Sequence, residues 1–244
     1  MIVYANGCSH TAAAEAVVSD CFAVDNGRHG IDRRPHPANL AASWCTLVAR
    51  ALGAELACDA ESGGSNARIL RTTRAWIDQN RDRLDQTVMI LQWTTWEREE
   101  WLHKNTWYQV NASGTDWLPG ELQHRYRQYI IDVDWTRCTS AAHQEIWQLH
   151  QELVAQKVQH LFFSGHSTFS DIGPDQQQDW QNCYMYPYDR DQSYHNWLVK
   201  NGGHYANASS YHFDAASHRL WADYVLQYIN RNQILASAHE ISAD

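Results

Sequence analysis

The chain has 244 residues and a formal net charge of −9, enough length to bury one sizeable core without covalent staples. That acidic balance excludes the basic face of a nucleic-acid binder and the attraction of an anionic membrane surface. No run approaches the length of a membrane span.

Residues 2–6 form an apolar, β-prone run that ends in Gly7-Cys8-Ser9-His10. A strand that turns sharply after Gly7 lifts the Ser9 hydroxyl above the carboxyl edge of a sheet, where α/β proteins bind ligands. The alternative is that Ser9 caps a turn. Residues 10–36 carry the breakers Gly27, Gly30 and Pro35 and read as a long loop over that edge. Pro37 opens a helix whose apolar face is Leu40, Trp44, Leu47, Val48 and Leu52. Ala54 to Cys58 is a short strand, Glu61 to Asn66 a loop, and Ile69, Thr73, Trp76 and Ile77 mark the next helix. Thr87 to Trp93 is the clearest buried strand. Residues 97–120 are polar, aromatic and irregular, as expected of an insertion. Helical spacing fills 121–156 on more than one helix, and Val158 to Phe163 is a strand closed by Ser164-Gly165. Residues 170–210 are loop-rich. Asp214 to Ile229 is an amphipathic helix with Leu220, Trp221, Tyr224, Val225 and Tyr228 on its apolar face. Alternating strands and helices predict an α/β fold: a three-layer sandwich with a central parallel sheet, as one domain over 1–244 with insertions near 10–36 and 97–120.

The six cysteines form no Cys-x-x-Cys pair, and the chain starts without a basic and apolar leader. The expectation is reduced thiols in a cytoplasmic setting. The fourteen histidines are scattered without His-x-His or His-Glu-x-x-His spacing, so no metal site and no cofactor is expected. Twelve tryptophans and twelve tyrosines exceed what a core requires, and some suit the lining of a groove for sugars or other amphipathic ligands.

Three features meet above the sheet edge if this fold holds. They are Ser9, the Gly63-Gly64-Ser65-Asn66 loop, and the segment Tyr211-His212-Phe213-Asp214 before the last helix. Small residues in the loop free backbone N–H groups for an oxyanion, and a histidine near the last helix can take the serine proton. In block order the chain resembles the SGNH (GDSL-like) hydrolases. Gly7-Cys8-Ser9-His10-Thr11 is similar to their first block, with Cys8 in place of aspartate, and the Gly-Cys-Ser start and Gln92-Trp93-Thr94 resemble phage and marine-bacterial members. The resemblance implies a flavodoxin-like SGNH fold with Ser9 as nucleophile, Gly63 as oxyanion donor, His212 as catalytic histidine and His218 as the later, non-catalytic one. His204, in Gly202-Gly203-His204, is the rival base.

Two positions depart from that pattern. The third-block asparagine is missing from Gln92-Trp93-Thr94-Thr95, leaving Thr94, Gln92 or Asn66 as substitute donors. Ser209 stands where the family has an acid three residues before the histidine, and Asp214 lies on its wrong side, so a backbone carbonyl would orient His212 in a Ser-His dyad. Gln92, Trp93 and Arg98 are the candidate substrate contacts; the alternative for Trp93 and Trp96 is lid or rim packing, and for Arg98 a solvated pair with Glu97, Glu99 or Glu100. The reading is a serine esterase acting on a small ester, such as an O-acetyl group on a carbohydrate, with no nucleic-acid or membrane partner. The alternative is a non-catalytic carbohydrate-binding or virion-associated module on the same fold.

Overall fold

The computed structural model describes residues 1–23, 34–111 and 118–235. Five strands build one parallel sheet: β1 (Ile2–Asn6), β2 (Glu55–Cys58), β3 (Thr87–Trp93), β6 (Gln159–Ser164) and β7 (Tyr184–Met185). Their order is β2-β1-β3-β6-β7, the doubly wound order in which the crevice opens between the first and third strands. Helices α1 (Pro37–Ala42), α2 (Trp44–Ala51), α6 (Tyr194–Lys200) and α7 (Ala215–Arg231) belong to one side, and α3 (Asn66–Gln79) and α5 (Trp135–Ala155) to the other. The predicted α/β sandwich is therefore the observed architecture.

The period-2 pleat explains why both faces are dry. Val3, Ala5, Val88, Ile90, Leu161 and Phe163 pack under α2 and α7, while Tyr4, Met89, Leu91 and Phe162 pack against α3 and α5. A parallel sheet covered on both sides needs such continuous apolar runs, and β1 and β3 are buried at every position.

Three details differ from the sequence reading. The helix expected over 37–53 is broken at Ser43, whose hydroxyl accepts from the Thr46 N–H and restarts the helix as α2. Residues 97–120 are not irregular throughout. They contain an antiparallel hairpin of β4 (Glu99–His103) and β5 (Thr106–Val110), turned by Lys104 and Asn105 at positive φ, followed by α4 (Gly120–Asp132). Short α6 and β7 interrupt the loop-rich region. Gly27 and Gly30, in the expected loop, lie outside the described residues. Among the described residues no helix is long and apolar enough to cross a membrane.

The turn after β1 is held by an unusually close approach. A Cβ on Gly7 would lie 2.3 Å from Thr11 Oγ1 and 3.1 Å from the Gln92 Cβ, so only glycine lets the chain turn against β3. Gly7→Ala is expected to destabilise the protein by about 1–3 kcal/mol through overpacking. Urea unfolding checks this, and an unchanged midpoint would mean that Thr11 yields without loss.

Candidate active site

The carboxyl ends of β1 and β3 carry the residues singled out in the sequence. Ser9 and His10 follow Gly7 and are 5% and 4% exposed. The Thr11 and Ala12 N–H groups both bond to the Cys8 carbonyl, and the Ala14 N–H to that of Ser9. Successive tight turns thus wind residues 8–16 over the sheet edge. Ala13 and Glu15 adopt positive φ of 52° and 64°, a left-handed geometry that is uncommon outside glycine. The result is that Glu15 faces the far end of the chain. Its Oε2 lies 2.7 Å from His212 Nδ1 and also accepts from Ser210 Oγ, which itself accepts from the His212 N–H at 2.9 Å.

The sequence does not point to Glu15: no acid stands where the family has one before His212, and locally only a backbone carbonyl would be left to orient that ring. The only local signal is a lone carboxylate among Ala12, Ala13, Ala14 and Ala16, six residues after Ser9. Asp214 has other work, capping α7 by accepting from the Ser217 N–H and hydroxyl at 2.8 and 2.7 Å. Hydrogen bonds from Ser210 and His212 hold the Glu15 carboxyl below the usual carboxylate range despite its partial burial.

His204, the rival base, is exposed. Its backbone, not its ring, is engaged: its N–H donates to Ser217 Oγ and its carbonyl accepts from the Asp214 N–H. His218 is buried within α7, where Nδ1 accepts the Trp44 N–H at 3.3 Å. Burial pushes it down to about 3, so it serves as a neutral acceptor joining α7 to α2.

His10, next to Ser9, belongs to a histidine pair. His10 Nε2 and His166 Nε2 are 2.6 Å apart, and the His10 ring stands edge-on to that of His212 with centroids 5.6 Å apart. Burial, reinforced by neighbouring imidazoles and the Arg98 charge, holds His10 well below the usual imidazole range and His166 at about 3. One neutral ring must therefore donate to the other. His166 was legible only as the second residue after a strand's carboxyl end. Its ring also neighbours that of His195 at 4.6 Å. Together they border a cleft of about 580 Å³ whose lining includes Trp96, Trp135, Thr168 and Arg190.

Of the side chains expected to donate to the oxyanion, two are engaged and one is unpaired among the described residues. Asn66 clamps the end of β3: its Oδ1 accepts the Thr94 N–H at 2.9 Å and its Nδ2 donates to the Thr94 carbonyl at 3.3 Å. Gln92 is wholly buried, accepting from Thr11 Oγ1 at 2.7 Å and donating to Cys8 Sγ at 3.3 Å. Thr94 Oγ1, also buried, has no hydrogen-bond partner among the described residues. Gly63 has φ +85°. Its loop is stitched to the Ser9 turn by the Glu61 N–H, which donates to the Gly7 carbonyl, and the loop is anchored by the buried Glu61–Arg68 ion pair at 3.0 Å.

Two of the candidate substrate contacts are corrected by burial. Trp93 is fully enclosed, edge-on to Phe162 at 5.3 Å, so it is core. Gln92 is an internal strut. Arg98 is half-buried and acts electrostatically on His10 and His166, and its Nη1 has no hydrogen-bond partner among the described residues. Ser9 Oγ makes no hydrogen bond to another described residue, His212 included.

No curated protein matches the chain. Solved structures similar to it include the crystal structure of TesA, with 12% identity, 95% of this chain and 99% of that chain covered and a TM-score of 0.48, and the psychrotrophic esterase EstA from Pseudoalteromonas sp. inhibited by monoethylphosphonate, with 11% identity, 94% and 97% covered and a TM-score of 0.44. A family model described as a family of unknown function matches residues 31–164. That span takes in Gly63, Asn66 and Thr94 and leaves Ser9, Glu15 and His212 outside. The chain belongs to this family of unknown function, DUF6071.

Proposed function

We propose that the protein is a serine hydrolase of small esters, with Ser9 as nucleophile, His212 as base and Glu15 as the acid that orients it. The observation carrying this reading is the 2.7 Å contact between Glu15 Oε2 and His212 Nδ1, which leaves His212 Nε2 to handle a proton. A carboxylate on Nδ1 fixes the tautomer and stabilises the imidazolium that forms when the serine is deprotonated. The order of the sequence blocks supports the same assignment.

In this mechanism Ser9 Oγ attacks the ester carbonyl while His212 Nε2 takes its proton. The Ser9 and Gly63 N–H groups and Thr94 Oγ1 receive the oxyanion. The unengaged Thr94 hydroxyl stands in for the family's asparagine. His212 then protonates the leaving alcohol, and water, deprotonated by the same ring, releases the acyl group. Serine–histidine contacts tighten as substrate binds, in keeping with an Oγ that has no other engagement. The cleft beyond His166, with Trp96 and Trp135 on its lining, suits a carbohydrate-sized alcohol.

The decisive assay is hydrolysis of p-nitrophenyl acetate and butyrate together with fluorophosphonate labelling. Ser9→Ala is expected to lose at least about a thousandfold in kcat/KM and all labelling. A wild type that neither turns over nor labels would overturn the hydrolase and favour the binding-module alternative, which glycan binding then measures.

Glu15→Gln is expected to lower kcat by about 10²–10⁴-fold with KM little changed, and unaltered kcat would remove Glu15 from the triad. Thr94→Val should cost about 10²–10³ in kcat, whereas retained activity would leave the oxyanion to backbone donors alone.

The depressed Glu15 carboxyl also sets a pH dependence. A group whose folded value lies below its unfolded one stabilises the fold above the unfolded value, about 4.5, and loses that contribution as pH falls through the folded value. Thermal midpoints of wild type and Glu15→Gln should therefore differ at pH 7 and converge in acid. A gap that persists at acid pH would mean that the Glu15 charge is not what stabilises the pair.

A further inference from the structure

We infer that His150, His160 and Cys183 form a binding site for a zinc-class divalent cation at the edge of the sheet remote from Ser9. His150 comes from the penultimate turn of α5, His160 is the second residue of β6, and Cys183 directly precedes β7. The Phe162 N–H donates to the Cys183 carbonyl at 2.7 Å, which sets Cys183 beside the start of β6. The His150 Nδ1, His160 Nε2 and Cys183 Sγ atoms all lie within 4.8 Å of one another.

The tautomers point the same way. His160 Nδ1 lies 2.8 Å from the Val158 carbonyl, and a carbonyl can only accept. Nδ1 therefore carries the hydrogen, and Nε2 presents a lone pair to the interior of the triangle. A backbone carbonyl on the far nitrogen is the support that metal-bound histidines receive. His150 Nδ1 faces this lone pair at 2.8 Å, and two ring nitrogens so placed need a proton or a cation between them. Both rings are almost fully buried, at 1% and 2% exposed. Trp147 stacks on His150 at 4.9 Å, and Trp180 stands edge-on to it at 5.5 Å. The Cys183 thiol has only a long contact to the Gln181 carbonyl, 3.7 Å.

Two imidazoles and a thiol select a borderline cation over the oxygen-seeking magnesium or calcium. With bonds of about 2.0–2.1 Å to nitrogen and 2.3 Å to sulfur, a tetrahedral ion requires the rings to part by about half an ångström and the sulfur to close in. Binding moves the His150 hydrogen from Nδ1 to Nε2 and releases the Cys183 proton to solvent. Water takes the fourth position. The ion would pin α5 to the β6–β7 edge. That is a structural role, independent of ester chemistry, because β6 runs away from this site toward the Ser9 edge.

The test is a cobalt(II) titration of the chelator-stripped full chain, with zinc competition. Expected are one equivalent bound, the visible absorption of tetrahedral cobalt, a thiolate-to-cobalt charge-transfer band, and a raised thermal midpoint with zinc. Cys183→Ser should abolish the charge-transfer band, and both Cys183→Ser and His160→Asn should weaken binding by about a hundredfold or more, beyond what loss of a supporting group costs. Ser9→Ala should bind as wild type does. Circular dichroism of the metal-free variants confirms that they fold, and the cobalt spectrum of the wild type stands without them. Absence of stoichiometric uptake, a wild-type spectrum without thiolate character, or uptake undiminished in both ligand variants would overturn the site.

Discussion

Everything at the carboxyl edge of this sheet depends on the buried carboxamide of Gln92. It projects from β3 beneath the turn after β1, takes the Thr11 hydroxyl hydrogen at 2.7 Å and gives one of its own to Cys8 Sγ. A Cβ on Gly165 would meet the same amide at 2.2 Å, so the chain leaving β6 is fitted to it as well. A buried amide without partners costs about 1–3 kcal/mol, which makes the arrangement close to all-or-none. The turn after β1, the end of β3 and the exit from β6 must adopt one mutual register. Asn66 extends the same logic, tying the start of α3 to both backbone groups of Thr94.

That rigid edge explains how histidines of identical chemistry diverge. His218 is enclosed and His166 is half-buried at the cleft, and burial pushes both down to about 3, so they act as neutral hydrogen-bonding parts of the framework. His212 sits at a partly open position with the Glu15 carboxylate on Nδ1. The fold keeps the histidines around this pair uncharged. The left-handed backbone at Ala13 and Glu15 is the local strain this requires, and the contacts of Glu15 with Ser210 and His212 offset it.

Aromatic residues show the same division. Trp93 ends the central strand and reads equally well as a rim residue, yet it is sealed against Phe162. Trp96, three residues on, stacks flat against Phe169 at 4.8 Å and still reaches the cleft. Composition could count the tryptophans but could not sort them, because burial depends on which layer lies over each strand end.

The sequence by itself determined the repeating elements. Apolar runs specified β1, β3 and β6, the first and last of them closed by a following glycine, and 3.6-residue spacing specified α7. The short glycine-rich blocks fixed where the chain turns at the sheet edge. Those signals are local, and periodicity and turn chemistry act within a few residues. Pairings between loops were decided only by tertiary structure. Glu15 and His212 are 197 residues apart, and nothing near either names the other. Gln92 became a strut rather than a contact because β3 lies beside β1. His150, His160 and Cys183 converge because α5 returns the chain to β6 and β7 takes the next place in the sheet. Strand order determines which chain ends meet, and only that meeting turns scattered polar side chains into partners.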